Sequence, residues 1–386
     1  MTRTAREPFS LASLAIDPGR ECARIVAALR RQVGPELHRR GAVLGLSGGI
    51  DSSLSAALCV RAFGPQRVLG LFMPERDSAA DSLTLGRLLA EHLGIAALRE
   101  DVDGILEAAG CYRRRDEAIR SVFPDYGPGY KSKIVLPGLA AGGYRIFSLV
   151  IQSPDGQVRR DQLPLAAYQQ IVAATNFKQR VRKMIEYYHA DRLRYAVVGT
   201  PNRLEYDQGF FVKNGDAAAD VKPIAHLYKT QVYQLAEYLG LPEIIRTRPP
   251  TTDTYSMEQS QEEFFFSVPF DKLDACLFAQ DQGVAPEEVA RALDWTPEQV
   301  RQVWHDIQSK RRAAAYLHAA PLLVEDGPEI PCAGATAGLP SSAEDTVGQA
   351  NRGTPQAETC PGAVGNRPAV LSAGLPLVQD VPEAVR

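Results

Sequence analysis

Residues 44–53 read LGLSGGIDSS, a serine and two glycines after one apolar run and an acid with two hydroxyls before the next. Upstream, GAVLGL (41–46) has the length and apolarity of a short buried strand. Downstream, SSLSAALCVRAF (52–63) places Leu54, Ala57, Leu58 and Ala62 at helical spacing. The pattern then repeats. RVLGLFM (67–73) reads as a second strand ending at Pro74. DSLTLGRLLAEHLG (81–94) reads as a helix with Asp81 as cap and Gly94 as stop, and AALREDV (96–102) as a third strand. Strands alternating with helices require crossover connections. The chain is therefore expected to be α/β, a doubly wound parallel sheet with flanking helices, with this loop at the carboxyl end of its first strand.

The residue types in the loop suit an anion. Gly48 and Gly49 carry no side chains, so a phosphate can approach their amides, and the helix that follows presents its first amides and its dipole. Ser47 and Ser52 add hydroxyl donors. Asp51 is out of place beside phosphate unless Mg²⁺ lies between them, since Mg²⁺ accepts carboxylate together with phosphate oxygens. No lysine follows the glycines, so this is not the GxxxxGK[ST] loop that assists γ-phosphoryl transfer. The loop is expected to hold phosphates without assisting γ-phosphoryl transfer; an alternative is that it holds the pyrophosphate end of ATP while a nucleophile attacks the α-phosphorus.

Composition narrows the partners. With 386 residues, 45% of them hydrophobic and 23% charged, the chain has room for a sizeable core, and a net charge of −3 gives no overall pull toward nucleic acid or an anionic membrane. The six cysteines form no CxxC pair, and His189 stands alone on a helical segment, so neither a zinc site nor a disulfide framework is expected. No apolar run is long enough to span a bilayer and the N-terminus lacks a signal-peptide core. A cytoplasmic protein is the expectation. Residues 1–40 form a helical lead-in and 41–324 the main domain. Within it, 110–165 interrupt the rhythm, and PDG at 154–156 signals an inserted hairpin. Helices are expected at about 166–193, 226–242, 256–281, 286–293 and 297–317, with a strand at 195–200. From 325 to 386 a Gly, Pro, Ser and Thr-rich composition predicts a disordered tail.

SGGIDS resembles the signature of the ATP pyrophosphatase superfamily, and four further blocks extend the likeness to the NAD⁺ synthetase family over roughly residues 40–315. They are NFKQRVRKM (176–184), the long run VVGTPNRLEYDQGFFVKNGDAAADVKPIAHLYKTQVYQLAEYLGLP (197–242), RPPTTD (248–253) and SKRR (309–312). The resemblance implies that Gly45, Leu46, Ser47, Gly48, Gly49, Ile50, Asp51 and Ser52 hold ATP with Thr200, Lys229 and Thr251. It implies Mg²⁺ on Asp51 and Glu205, and catalytic roles for Asp51 and Lys229. Deamido-NAD⁺ would meet Arg180, Lys213, Asp220 and Lys310. The implied reaction attaches AMP to the nicotinate carboxylate, releases pyrophosphate, and lets ammonia displace AMP. A homodimer is also implied.

The chain departs from the family at four places. Gly215-Asp216-Ala217-Ala218 stands for Gly-Asp-Gly-Gly, and Ser309-Lys310-Arg311 for His-Lys-Arg. The segment after RPPTTD differs, and 110–165 are long. These departures keep open an adenylating amide ligase acting on another carboxylic acid. A sulfur transferase acting on tRNA would need a catalytic cysteine pair, and a plain nucleotide-binding module would not need Asp51, Glu205 and Lys229 together. About 40 residues before the loop strand are too few for a glutaminase domain, and Thr2 is no N-terminal cysteine nucleophile. Free ammonia, or ammonia from a separate glutaminase subunit, is the expected donor.

Overall fold

The first helix, α1 (Pro18–Arg31), begins where Asp17 accepts the Arg20 amide at 3.0 Å and proline takes the first helical position. Its buried face, Cys22, Ile25 and Leu29, lies against the main core. The chain then enters β1 (Ala42–Gly45), α2 (Ile50–Phe63), β2 (Val68–Phe72), α3 (Ala80–Leu93) and β3 (Ala96–Arg99). The strands are parallel, with Ala42 opposite Val68 and Leu69 opposite Ala96. Every residue of β2 is buried, as a parallel strand covered on both faces requires. The computed structural model describes residues 8–136, 147–250 and 255–324. The tail expected to be disordered lies outside the described residues.

Helices α4 (Asp103–Ala108) and α5 (Cys111–Arg120) lead to three antiparallel strands, β4 (Lys131–Val135), β5 (Ser148–Gln152) and β6 (Val158–Gln162). The long α6 (Leu165–Leu193) returns to β7 (Ala196–Val197), which pairs in parallel with β1 on the side away from β2. The sheet order is thus β3-β2-β1-β7, and the connections diverge at β1. Helices α1, α2 and α3 cover one face, while Ala190 and Ile185 of α6 pack against Val43, Leu69, Leu71 and Val197 on the other. A crevice therefore opens at the carboxyl ends of β1 and β7, where ligands of doubly wound sheets bind. The remaining helices are α7 (Arg203–Gln208), α8 (Lys229–Tyr238), α9 (Glu243–Arg246), α10 (Phe270–Asp281), α11 (Pro286–Leu293) and α12 (Pro297–His318). Of these, α10 to α12 build a second apolar core around Leu277, Val300 and Ile307.

Three local expectations need correcting. Asp81 does not cap α3. The capping position is Ala79, and Asp81 sits in the first turn, where its Oδ1 accepts from Arg248 Nη2 at 2.9 Å. No continuous helix covers 256–281, because Ser267 adopts φ 62° and Pro269 stands before α10, leaving only a π turn at Glu262–Phe266. The predicted hairpin exists as β5–β6, turned at Gly156 with φ 90°, but β4 adds a third strand along β5.

Candidate active site

The crevice is a cavity of about 490 Å³. Its floor is the β1–α2 loop. Gly48 takes φ 75°, and a Cβ there would stand 2.8 Å from Leu85 Cβ, so only glycine fits between the loop and α3. Ser47 Oγ and Ser52 Oγ lie 3.1 Å apart, and Ser52 Oγ donates to the Gly49 carbonyl at 3.0 Å. Gly45, Leu46, Ser47, Gly49, Ile50, Asp51 and Ser52 all line the cavity.

Three ionisable groups meet in its wall. Lys229 Nζ donates to Asp51 Oδ2, and Asn202 Nδ2 donates to Asp51 Oδ1 at 3.1 Å. Glu205 follows in α7, held by a reciprocal cap: its amide donates to Asn202 Oδ1 at 3.2 Å, and its Oε2 accepts the Asn202 amide at 3.1 Å. Gln261 Nε2 donates to Glu205 Oε1 at 3.1 Å. Burial, reinforced by Asp51, pushes the Glu205 carboxyl up to about 8. Lys229 is only 1% exposed. Burial disfavours its charged form, but Asp51 and Glu205 outweigh that and raise its pKa. Its backbone is fixed as well, since Asp274 accepts the amides of Lys229 and Thr230 at 3.2 and 2.7 Å.

Two carboxylates beside phosphate donors form a hard-oxygen site of the kind Mg²⁺ accepts with ligand phosphates. Among the described residues no group of three or more His, Cys, Asp or Glu could hold a metal by itself. The same cavity is lined by Lys183 and Glu186, paired at 2.6 Å, and by Asp216, whose carboxyl burial pushes up. Tyr168, Val172, Tyr255 and Phe264 form an apolar stretch of wall.

Asp51, Glu205, Lys229 and Thr200 are thus brought together around one cavity. Arg180, Lys213, Asp220 and Lys310 are not among its lining residues. Arg180 Nε donates to the Lys213 carbonyl at 3.3 Å, and Lys213 Nζ donates to the Tyr316 and Ala319 carbonyls at 2.8 and 3.0 Å, capping the end of α12. Lys213, Ala217 and Ala218 border a second cavity of about 180 Å³, with Tyr206, Phe211 and His318. Asp220 accepts the Val197 amide at 2.8 Å and Tyr187 Oη at 3.3 Å, bracing β7. Lys310 pairs with Asp306 at 2.6 Å. Thr251 lies outside the described residues.

Sequence reasoning missed Asn202, Gln261, Asp274 and Arg248. Only Asn202 left a signal, the Asn-x-x-Glu cap spacing ahead of α7. His189 is structural: Arg192 Nε donates to its Nδ1 at 2.9 Å, which leaves Nε2–H facing Glu100 at 2.8 Å. The thiols Cys22, Cys59, Cys111 and Cys276 are buried, and burial pushes Cys59 and Cys276 up to about 12. Such thiols are poor nucleophiles.

A doubly wound sheet with a glycine loop at the carboxyl end of β1, and two carboxylates and a buried lysine beside it, is the architecture of an enzyme that handles a nucleotide phosphate. A sequence model described as NAD synthase matches residues 21–120 and 152–314. The NH3-dependent NAD⁺ synthetase of Rhizobium meliloti (strain 1021) is 60% identical over 323 residues, covering 83% of this chain and 96% of that protein. The protein of the same name from Mesorhizobium japonicum is 62% identical over 311 residues, 80% of this chain and 98% of the relative. This chain belongs to the NAD synthase family. Among solved structures, NMN synthetase from Francisella tularensis has the same fold, with TM-score 0.56 at 21% identity, over 80% of this chain and 99% of that one. NH3-dependent NAD synthetase from Campylobacter jejuni gives 0.52 at 22% identity, over 80% and 100%. The family match leaves out 121–151, which carry β4 and most of β5.

Proposed function

We propose that the chain amidates deamido-NAD⁺ to NAD⁺ with ATP and ammonia, through an acyl-adenylate, releasing AMP and pyrophosphate. The observation that carries this reading is the meeting of Asp51, Glu205 and Lys229 at the edge of a glycine phosphate loop, in a chain 60% identical to a relative of that name. A carboxylate is a poor electrophile because its leaving group would be oxide; adenylation replaces oxide with AMP. ATP lies with its phosphates along Gly45–Ser52, where the loop amides and serine hydroxyls donate. The Lys229 ammonium offsets negative charge on the departing pyrophosphate. Mg²⁺, held by Asp51 and Glu205, would supply charge neutralisation at the phosphates. The first step needs no proton transfer because its nucleophile is a carboxylate; in the second, ammonium must first lose a proton and the attacking nitrogen must lose another as AMP leaves.

Arg180, Lys213, Asp220 and Lys310 are assigned to deamido-NAD⁺. Arg180 and Asp220 are exposed, as suits a dinucleotide reaching beyond the ATP cavity toward the partner subunit of a homodimer. Ammonia is taken free or from a separate glutaminase subunit. The described residues contain no helix long and apolar enough to cross a membrane, and a cytoplasmic location is proposed. The test uses deamido-NAD⁺ labelled with ¹⁸O in its carboxylate. Attack on the α-phosphorus leaves one labelled oxygen in AMP and produces NAD⁺ and pyrophosphate together. AMP without label, or pyrophosphate release indifferent to deamido-NAD⁺, would overturn the reading.

A further inference from the structure

The stretch that the family match omits sets β4 against the chain bordering the cavity. The Met257 amide donates to the Ser132 carbonyl at 3.2 Å, and the Ser132 amide donates to Ser256 Oγ at 2.9 Å. Gln259 Nε2, on a residue 2% exposed, donates to the Ile134 carbonyl at 2.6 Å, and Lys133 Nζ to the Glu258 carbonyl at 3.3 Å. Tyr255 joins the apolar cluster of Ile134, Leu149 and Ile151. Residues 255–259 are thereby fastened to the inserted sheet by backbone, side chain and apolar contact.

Two residues on, this fastened segment delivers Gln261, which lines the cavity and donates to Glu205 Oε1. The Asn202 amide holds Oε2, so each oxygen of Glu205 has one fixed donor and keeps one lone pair for a further ligand. We propose that Gln261 is a positioning residue for Glu205, orienting its carboxylate for the cation, and that β4 keeps Gln261 in place. This rests on the reading of Glu205 as a metal carboxylate. Partners of metal-bound carboxylates typically change metal affinity by about 10–100-fold when removed.

The experiment measures Mn²⁺ binding by electron paramagnetic resonance on the full chain, with an α,β-methylene analogue of ATP present. Gln261→Met keeps the shape and removes the donor. Mn²⁺ affinity is expected to fall about tenfold, with Tm and helix content unchanged. A residue that only fills space would tolerate methionine, so wild-type Mn²⁺ affinity in this variant overturns the proposal. Ser256→Ala, which loosens the β4 contact, should weaken Mn²⁺ about threefold in the wild-type background and have no further effect beside Gln261→Met. A loss that persists in the double variant overturns the role of β4. Absence of any analogue-dependent Mn²⁺ site in the wild-type protein overturns the metal reading of Glu205 itself, which separates that failure from the other two.

Discussion

The two sides of the cavity are built differently. The glycine-loop side joins neighbours in sequence: β1 runs into its loop and directly into α2, and Val43, Leu44, Leu54 and Leu58 beneath it are fully buried. The opposite side joins strangers. Ser132 and Ser256, 124 positions apart, meet through one hydrogen bond, and a glutamine beyond them reaches Glu205. Closing so long a loop costs entropy that a local turn never meets, so pieces held only by distant contacts open more easily. Asp51 rests on the local side, whereas Lys229, 178 positions on, and Glu205 of α7 are brought to it by tertiary packing.

Breaking the local side should have the largest effect. Asp51→Asn removes a carboxylate that receives both Lys229 and Asn202, and pyrophosphate release should fall at least about 10²-fold with the circular dichroism spectrum unchanged. Near-normal turnover would remove Asp51 from the mechanism. Ile151→Ala strikes the other side: truncating a fully buried isoleucine should cost about 2–5 kcal/mol. Amide exchange should quicken in 131–135, 148–162 and 255–261 while β1 and β2 stay protected. Uniform quickening would mean that the two sides open as one.

Gly48→Ala should cost about 1–3 kcal/mol in denaturant unfolding, because its φ of 75° and the 2.8 Å approach to Leu85 Cβ leave no room for a methyl. The last test is a pH dependence of the ligand-free protein. Burial and Asp51 lift Glu205 from 4.5 to about 8, so between those values the folded state binds the extra proton. The stability from this group is complete below 4.5 and is lost as pH rises through about 8. Glu205→Gln should flatten that fall in Tm, and a variant as pH-sensitive as the wild type would contradict it.

Sequence revealed these two sides unequally for the same reason. Alternating strands and helices, the Gly-Gly turn and Gly94 as a stop are local signals, and the structure follows them. Asp81 misled because an acid serves equally well at a cap or in a first turn, and Arg248, which decides here, lies 167 positions away. KSKIV at 131–135 is too charged to announce a strand, and only its pairing with β5 makes it one. Lys213 and Asp220 stand at the spacing of substrate contacts, yet their bonds to the end of α12 and to β7 depend on tertiary packing. Asp274 gave no hint at all, since its work is done at the start of a helix 45 positions earlier.

That helix start has one more consequence. Asp274 grips the backbone of Lys229 while Asp51 grips its ammonium, so a side chain that is usually among the freest is tethered at both ends. Its rotamer freedom, up to about 2 kcal/mol, is surrendered when the chain folds and not when nucleotide arrives. On the proposed function, an incoming phosphate would meet a positive charge that needs no ordering and has only to exchange one anionic oxygen for another.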